Sequence, residues 1–310
     1  MPYGQPFTRL CRELTENRPE RRVDLHLHTT YSDGQYTPAQ VVDLARRSGL
    51  PALAITDHDT CAGVEPARAA AAGTALEVIA GAEITTEHRG NEVHLLAYFI
   101  GTDDSPLSQA LLRLRRARLD RFLAMVERLA SKGVCVDPGD VDALAQRTTL
   151  GRRHLAELLV KAKKVDTIRQ AFQRYLHDYH PNHVAKTRLP IAEACALVRE
   201  AGGVSSWAHP GADCTLAALA ELRALGLDAV EVDFPACRAS RERELRQWAR
   251  QLGLAVTGGS DCHGFEPASR AIGSGGITLA ELDALRQLAC SPQARSIRPA
   301  ATKSISAMAT

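Results

Sequence analysis

The chain has 310 residues, enough for one large α/β domain or a barrel carrying an insertion. Its 45% hydrophobic and 24% charged residues are the balance of a globular protein, and a formal net charge of +2 gives no bulk drive toward nucleic acid or an anionic membrane. No apolar run approaches the roughly 20 residues needed to span a bilayer. The eight cysteines are scattered without a C-x-x-C pair, which reads as free thiols in a reducing compartment.

Taken in chain order, the opening stretch "MPYGQPFTRLCRELTENRPERR" lacks the apolar core and small-residue cleavage site of a secretory leader, so a cytoplasmic location is expected. "RVDLHLHT" reads as a strand. "TPAQVVDLARRSG" reads as a helix, with Thr37 as cap, Pro38 at the first helical position and Gly49 as its stop. "PALAITDHD", "LEVIAGAEI" and "EVHLLAYFI" follow as strands. The alternation then breaks between about residues 101 and 190. "PLSQALLRLRRARLDRFLAMVERLASKG" is one long helix, with Leu112, Leu119, Phe122, Leu123, Val126 and Leu129 expected on a shared side. Its arginines Arg113, Arg115, Arg116, Arg118 and Arg121 read most simply as a solvated face, part of which could line a cleft. "LGRRHLAELLVKA" and "TIRQAFQRYLHD" are helical, with no good strand among them. "GGVSSWAHP", "LDAVEVDF" and "LAVTGGSD" resume the strands, and "SRERELRQWARQLG" is a helix that stops at Gly253. The expected organisation is an α/β barrel from 1–100 and 191–290, a helical insertion over 101–190 and a loose tail over 291–310.

Strand side chains alternate between faces, so His26 and His28 point together while Val23, Leu25 and Leu27 point into apolar packing. Asp261 and His263 in "GSDCHG" repeat that spacing. Between the two pairs fall His58 in "ITDHDT", Glu83 in "GAEITT", His94 in "NEVHLL" and His209 in "WAHPG". Nearly all lie at or just past the end of a predicted strand, and parallel barrel strands converge there. His94 lies earlier in its segment, so that strand is expected to run differently. A lone H-x-H is more often incidental than ligating; the set is not, because so many buried imidazoles would each need a partner. Imidazoles with carboxylates suit Zn²⁺, Mn²⁺ or Fe²⁺. The ligands exceed what one ion can use, so two or three ions are expected, roughly 3.5–4 Å apart, with Glu83 as the bridge. Asp33, beside Gly34, reads in isolation as a turn residue. Arg152 and His154 fall in the first turn of a helix, where N–H groups and the dipole favour an anion; the blander reading is a solvated arginine and a capping histidine.

These residues resemble the PHP family, the polymerase and histidinol phosphatase superfamily, through "DLHLHTTYSDG", "ITDHDT", "AHP" and "GSDCHG", in order from about residue 22 to residue 265. The resemblance implies a distorted seven-stranded β/α barrel of PHP type, with a helical insertion domain here. It also implies the ligand set His26, His28, Asp33, His58, Glu83, His94, His209, Asp261 and His263. Many relatives carry histidine at the Asp33 position, and the "SDG" form belongs to one subgroup. Cys262 replaces an aromatic usual in that subgroup, and strand alternation points it away from the ligands. "GRRHLAELLV", "AFQRYL" and "HVAK" resemble the small bacterial members that remove the 3′-phosphate from nucleoside 3′,5′-bisphosphates or trim short 5′-phosphorylated oligoribonucleotides. Arg153 stands where that subgroup has proline, and "HDYHPNHVAK" carries the unusual His177, His180 and His183.

The resemblance therefore implies a phosphoesterase using two or three divalent cations, Mn²⁺ first and Zn²⁺ or Fe²⁺ next. A water activated between the ions attacks phosphorus in line, and Arg152 and His154 neutralise phosphoryl charge. Lys186 and Arg188 are weaker candidates for holding substrate. A small nucleotide or short oligoribonucleotide is the expected partner, with no membrane and no obligate protein partner. Histidinol-phosphate hydrolysis is the rival within enzymes, and an amide hydrolase on a related barrel lacks a candidate carbamylated lysine at a strand end. A non-catalytic module is the rival from another class; degenerate modules lose ligands, and here every position is filled. An RNA-binding protein fits poorly with 5% aromatic residues.

Overall fold

The computed structural model describes residues 23–102, 104–177, 180, 182–235, 237–264 and 270–290. The expected loose tail and the opening stretch lie outside the described residues. The strands are β1 (Val23–Leu27), β2 (Ala52–Ile55), β3 (Glu77–His88), β4 (Asn91–Tyr98), β5 (Leu189–Pro190), β6 (Val204–Trp207), β7 (Ala229–Asp233) and β8 (Ala255–Gly258). Seven run in the order β1-β2-β3-β4-β6-β7-β8, and β5 pairs only with the far end of β3. Leu27 bridges Cys262, and the His28 N–H donates to the Cys262 carbonyl at 3.1 Å, so the sheet nearly closes into a seven-stranded α/β barrel. The seven principal strands are those expected. The added β5 is a two-residue pairing too short to show as a pattern.

Six of the seven barrel strands are mutually parallel and β4 is not. It is antiparallel to both β3 and β6. Arg89 and Gly90, both at positive φ, turn β3 directly into β4 between the paired residues His88 and Asn91. Two consecutive left-handed residues suit the right-handed twist of a tight hairpin. An antiparallel strand begins where its neighbours' direction would have it end, which is why His94 sits early in its segment.

The helices are α1 (Pro38–Arg47), α2 (Val64–Ala71), α3 (Pro106–Ala130), α4 (Pro138–Ala145), α5 (Arg152–Lys161), α6 (Ile168–Ala171), α7 (Ile191–Glu200), α8 (Leu216–Ala224), α9 (Ala239–Leu252) and α10 (Leu279–Cys290), with a π-helical turn at Phe172–Leu176 after α6. Thr37 caps α1 in a capping box with Gln40, and Gly49 and Gly253 follow their helices at φ +71° and +64°. Leu27, Val41, Leu53, Ile55 and Cys262 share one apolar cluster, so Cys262 does pack away from the ligands. A second cluster joins β3, β4, β6 and β7 to α7, α8 and α9, and includes Leu107, Leu111 and Leu114. Phe122, Met125 and Leu129 belong instead to a separate cluster with Leu155, Leu158 and Leu159 of α5.

The face expected for α3 holds in part: Phe122 and Leu129 are buried and Leu119 and Val126 pack against their cluster, but two of its leucines point outward. Leu112 and Leu123 are 60% and 42% exposed. The inward stripe is Leu107, Leu111, Leu114, Arg118, Arg121, Met125 and Leu129, spaced three and four apart. Two arginines hold its middle, which breaks the apolar pattern and shifts the apparent face. The solvated-face reading therefore fails for Arg118 and for Arg121, which is buried and donates to the Val184 carbonyl at 2.7 Å.

The barrel seam is tight. A Cβ on Gly259 would lie 2.4 Å from both the backbone N and Cβ of His26. Backbone cannot rotate away as a side-chain tip can, so Gly259→Ala is expected to cost about 1–3 kcal/mol, read as a lowered urea midpoint.

Candidate metal centre

Every histidine, aspartate and glutamate expected as a ligand is found at one end of the barrel. Glu83 lies at its middle, 1% exposed. Its Oε2 is 3.5 Å from His26 Nε2, 3.2 Å from His28 Nε2 and 3.1 Å from His58 Nδ1. Its Oε1 is 2.7 Å from His94 Nδ1 and 3.0 Å from His209 Nε2. Asp261 Oδ1 lies 3.5 Å and 3.4 Å from the Nε2 atoms of His26 and His28. Asp33 Oδ1 lies 3.3 Å from His263 Nε2 and 3.8 Å from His28 Nδ1. The His28 and His263 rings stack with centroids 4.1 Å apart.

Several of these atoms are close without bonding one another. His26 Nε2, His28 Nε2, Asp33 Oδ1 and His58 Nδ1 are buried and have no hydrogen-bond partner among the described residues. Ligand atoms that crowd together yet do not hydrogen-bond are converging on shared points, which is the geometry a cation fills once their protons leave. Three groupings could each hold an ion: His28 with Asp33, His58 and His263; His26 with His28 and Glu83; and His58 with Glu83 and His94. His28, His58 and Glu83 each occur in two groupings, so the sites would adjoin. His209 and Asp261 complete the ring around them. The donor set of imidazoles and carboxylates suits a divalent transition metal.

A second set of carboxylates holds the first in place. Glu231 Oε1 accepts from His26 Nδ1 at 3.1 Å, which leaves Nε2 as the free lone pair, and Oε2 accepts from the His209 backbone N–H at 2.5 Å. Asp57 accepts from Thr29 N, Thr29 Oγ1 and Ser32 Oγ at 2.6–2.7 Å, pinning the turn that carries Asp33. Asp24 accepts from the N–H groups of His26, Ser260 and Gly273. Asp59 accepts from Thr85 N at 2.8 Å and from Arg118 Nε at 2.5 Å. Asp59, His209 and Asp261 have φ of +52°, +31° and +48°. Backbone strain of this kind persists only where neighbours enforce it. These supporting residues are absent from the expectations above. Their signal was there: Asp24 shares the face of His26 and His28, and Asp57 and Asp59 flank His58.

The remaining candidates are placed differently. His154 is buried in the first turn of α5, lining a cavity of about 850 Å³ with Tyr31, Asp33, Arg147 and Thr148. Its Nδ1 accepts from the Gly151 N–H at 3.1 Å, so the neutral ring carries its proton on Nε2; burial pushes it toward that neutral form. Arg152 donates to the Leu176 carbonyl at 3.1 Å and lies over the Phe172 ring. Lys186 and Arg188 both pair with Glu92, which also holds His94 Nε2. His177 and His180 pack edge-on, and among the described residues neither falls in a metal grouping. A second cavity, of about 560 Å³, opens at His209 and Asp261 with Phe234, Arg238, Arg241 and Arg270.

Burial works against a charge on His28, but the carboxylates of Asp261 and Glu83 outweigh it and raise its pKa to about 10. For His94 the opposition of burial to Glu83 and Glu92 ends at about 9. Burial likewise opposes the charge of Asp33, and His58 and His263 nonetheless hold it well below the usual carboxylate range. Protons therefore stand in for cations at neutral pH, and an entering metal must displace them. Affinity for Mn²⁺ is expected to rise between about pH 6 and 8, by about tenfold per unit for each proton displaced. Calorimetric titration at several pH values measures this, and a flat profile would contradict it.

A family model described as PHP domain matches residues 24–185. A 5′-3′ exoribonuclease of Haemophilus influenzae is 31% identical over 250 residues, covering 78% of this chain and 90% of its own. A 3′,5′-nucleoside bisphosphate phosphatase of Chromobacterium violaceum is 30% identical over 290 residues, covering 90% and 99%. A phosphoribosyl 1,2-cyclic phosphate 1,2-diphosphodiesterase of Eggerthella lenta is 30% identical over 251 residues, covering 78% and 94%. The crystal structure of a Bifidobacterium adolescentis protein described as a metal-dependent phosphoesterase superposes with a TM-score of 0.80 at 33% identity, covering 87% of this chain and 97% of that one. No helix among the described residues is long and apolar enough to cross a membrane.

Proposed function

The chain belongs to the PHP domain family, and from that premise we propose that it is a metal-dependent phosphoesterase that removes the 3′-phosphate of nucleoside 3′,5′-bisphosphates. The observation that carries the phosphoesterase reading is the convergence of five imidazoles on Glu83, with ligand atoms left unpartnered around it. The ligands are His26, His28, Asp33, His58, Glu83, His94, His209, Asp261 and His263. Bound divalent cations would acidify a water and draw charge from phosphoryl oxygens.

The chain's own groups set the geometry. Glu231 fixes the His26 tautomer and the His209 backbone, and Asp57 fixes the turn of Asp33. Both ligand rims are thereby positioned before substrate arrives, which lowers the reorganisation needed in the transition state. His154 lines the cavity beside Asp33, and its Nε2–H, which the Ser32 carbonyl engages, is placed to donate to a phosphoryl oxygen without adding charge. Arg152 stands at the amino end of the same helix, and Lys186 and Arg188 add positive charge near His94 that Glu92 partly neutralises. The bisphosphate preference follows from a second phosphate finding cationic groups outside the centre.

The cavities at Asp33 and at His209 and Asp261 lie against different ligands of the centre. Room on two sides also suits a phosphodiester, so trimming of short 5′-phosphorylated oligoribonucleotides is a second reading. Protein loaded with Mn²⁺ is expected to release phosphate from adenosine 3′,5′-bisphosphate at least about tenfold faster than from adenosine 3′- or 5′-monophosphate. Equal rates would remove the bisphosphate assignment. A histidinol-phosphate arm and a 5′-phosphorylated trinucleotide arm in the same panel separate the rivals.

A further inference from the structure

We propose that the chain forms a two-fold symmetric homodimer, in which the outer face of α3 packs antiparallel against the same face of a second copy. This goes beyond the phosphoesterase reading and does not depend on it.

The face lies opposite the stripe that packs on the barrel. At 3.6 residues per turn, Leu112, Arg116, Leu119, Leu123 and Ala130 project within a sector of about 60°. Leu111, Leu114 and Met125 point the other way and are buried. Leu119 is half-buried, and the other four of the outer set are exposed. Single exposed leucines are ordinary on a protein surface. Leu279 and Leu288 of α10 are of that kind, because their spacing of nine residues puts them on opposite sides of the helix. Leu112 and Leu123 are not, since they continue one line through Leu119. A line of leucines turned to water is the surface that a second helix covers.

The charges beside this line select the partner and its direction. Arg113 and Arg116 lie on one flank near the amino end, and Glu127 lies on the same flank near the carboxyl end. All three are exposed, and Arg113 and Glu127 make no ion pair among the described residues. A parallel pair of helices would set Arg113 against Arg113 and Glu127 against Glu127. An antiparallel pair with its axis level with residue 121 sets Glu127 of each copy between Arg113 and Arg116 of the other. The same register places Leu119 on Leu123 twice, and Leu112 on Ala130, whose small side chain permits close approach. Asp120, near the axis, is already held by Arg116 of its own helix at 3.2 Å. One register therefore satisfies the apolar line and the charges together, which is the self-complementarity that a two-fold interface requires.

A cavity that the metal centre does not use falls under the same contact. It measures about 620 Å³ and is lined beside the amino end of α3 by Leu107, Leu111, Leu112 and Arg115, with Glu65 and Asp104. The turn that ends α3 in the second copy, at Gly133, reaches this level and carries Lys132 toward the two carboxylates. Both metal centres stay open, because Arg118 marks the side of α3 that faces the ligands and the interface uses the opposite side. The contact is about 27 Å long from Leu112 to Ala130, which belongs with weak, reversible interfaces and a dissociation constant of roughly 1–100 μM.

The test is sedimentation velocity on the full chain from about 1 to 200 μM, with thermal melting to check folding. Wild type is expected to pass from monomer to dimer across that range. Leu123→Glu, Arg113→Glu and Glu127→Arg are each expected to weaken association by about tenfold or more. Arg113→Glu combined with Glu127→Arg rebuilds the pair with its signs exchanged and is expected to recover most of the loss. Wild type that stays monomeric at the highest concentration overturns the proposal. A dimer that Leu123→Glu leaves intact overturns it too, because another surface would then hold the copies together. If Leu123→Glu does not fold, Leu112→Glu, at the more exposed position, decides on the same criterion. A double reversal that associates no better than the single ones overturns the antiparallel register, and the proposal with it.

Discussion

One carboxylate organises this protein. Glu83 is buried among five imidazoles, and a carboxylate so placed is tolerable only if positive charge surrounds it. Protons supply that charge in part and cations in full. The architecture follows from the need to bring imidazoles from β1, β4 and the ends of β2 and β6 to one point. Parallel strands deliver their carboxyl ends there, and β4 reaches the same rim by running the other way. The supporting layer of Asp24, Asp57, Asp59 and Glu231 spends its oxygens on backbone N–H groups and ligand rings, so the ligands cannot relax toward one another.

Much of this was legible in sequence because the strand period is exact. Two residues of spacing place His26 with His28; Asp261 and His263 lie past β8, with Asp261 at φ +48°, and meet through the turn rather than the strand period. The reversed direction of β4 was readable from the early position of His94. The supporting carboxylates were harder, because Asp57 and Asp59 resemble ordinary turn residues until their partners, 25 to 59 residues away in sequence, are known. Leu112 and Leu123 of α3 were misplaced for a different reason. A hydrophobic pattern assumes that the buried stripe is apolar, and a helix that crosses a charged centre must break that rule where it crosses. Arg118 and Arg121 are the break, and the apolar residues on either side of them trace a shifted face.

The ligand rim and its helical neighbour come from different parts of the chain. The metal rim is built from barrel strands, whose mutual register leaves little freedom. The helical segment brings α3, α5 and the turn before β5 to the same rim, with its own apolar cluster behind it. Relatives of about 30% identity bear the names of a bisphosphate phosphatase, an exoribonuclease and a cyclic phosphodiesterase.

The barrel seam has a consequence for how the chain comes apart. β1 meets the segment beyond β8 through few bonds, among them His28 N–H to the Cys262 carbonyl and Ile277 N–H to the Val23 carbonyl. The same two edges carry His26 and His28 on one side and Asp261 and His263 on the other. A cation shared by them is a clasp joining segments far apart in sequence, and removing it restores the entropy of a very long loop. Resistance to proteolysis along this seam would then track free metal concentration by mass action.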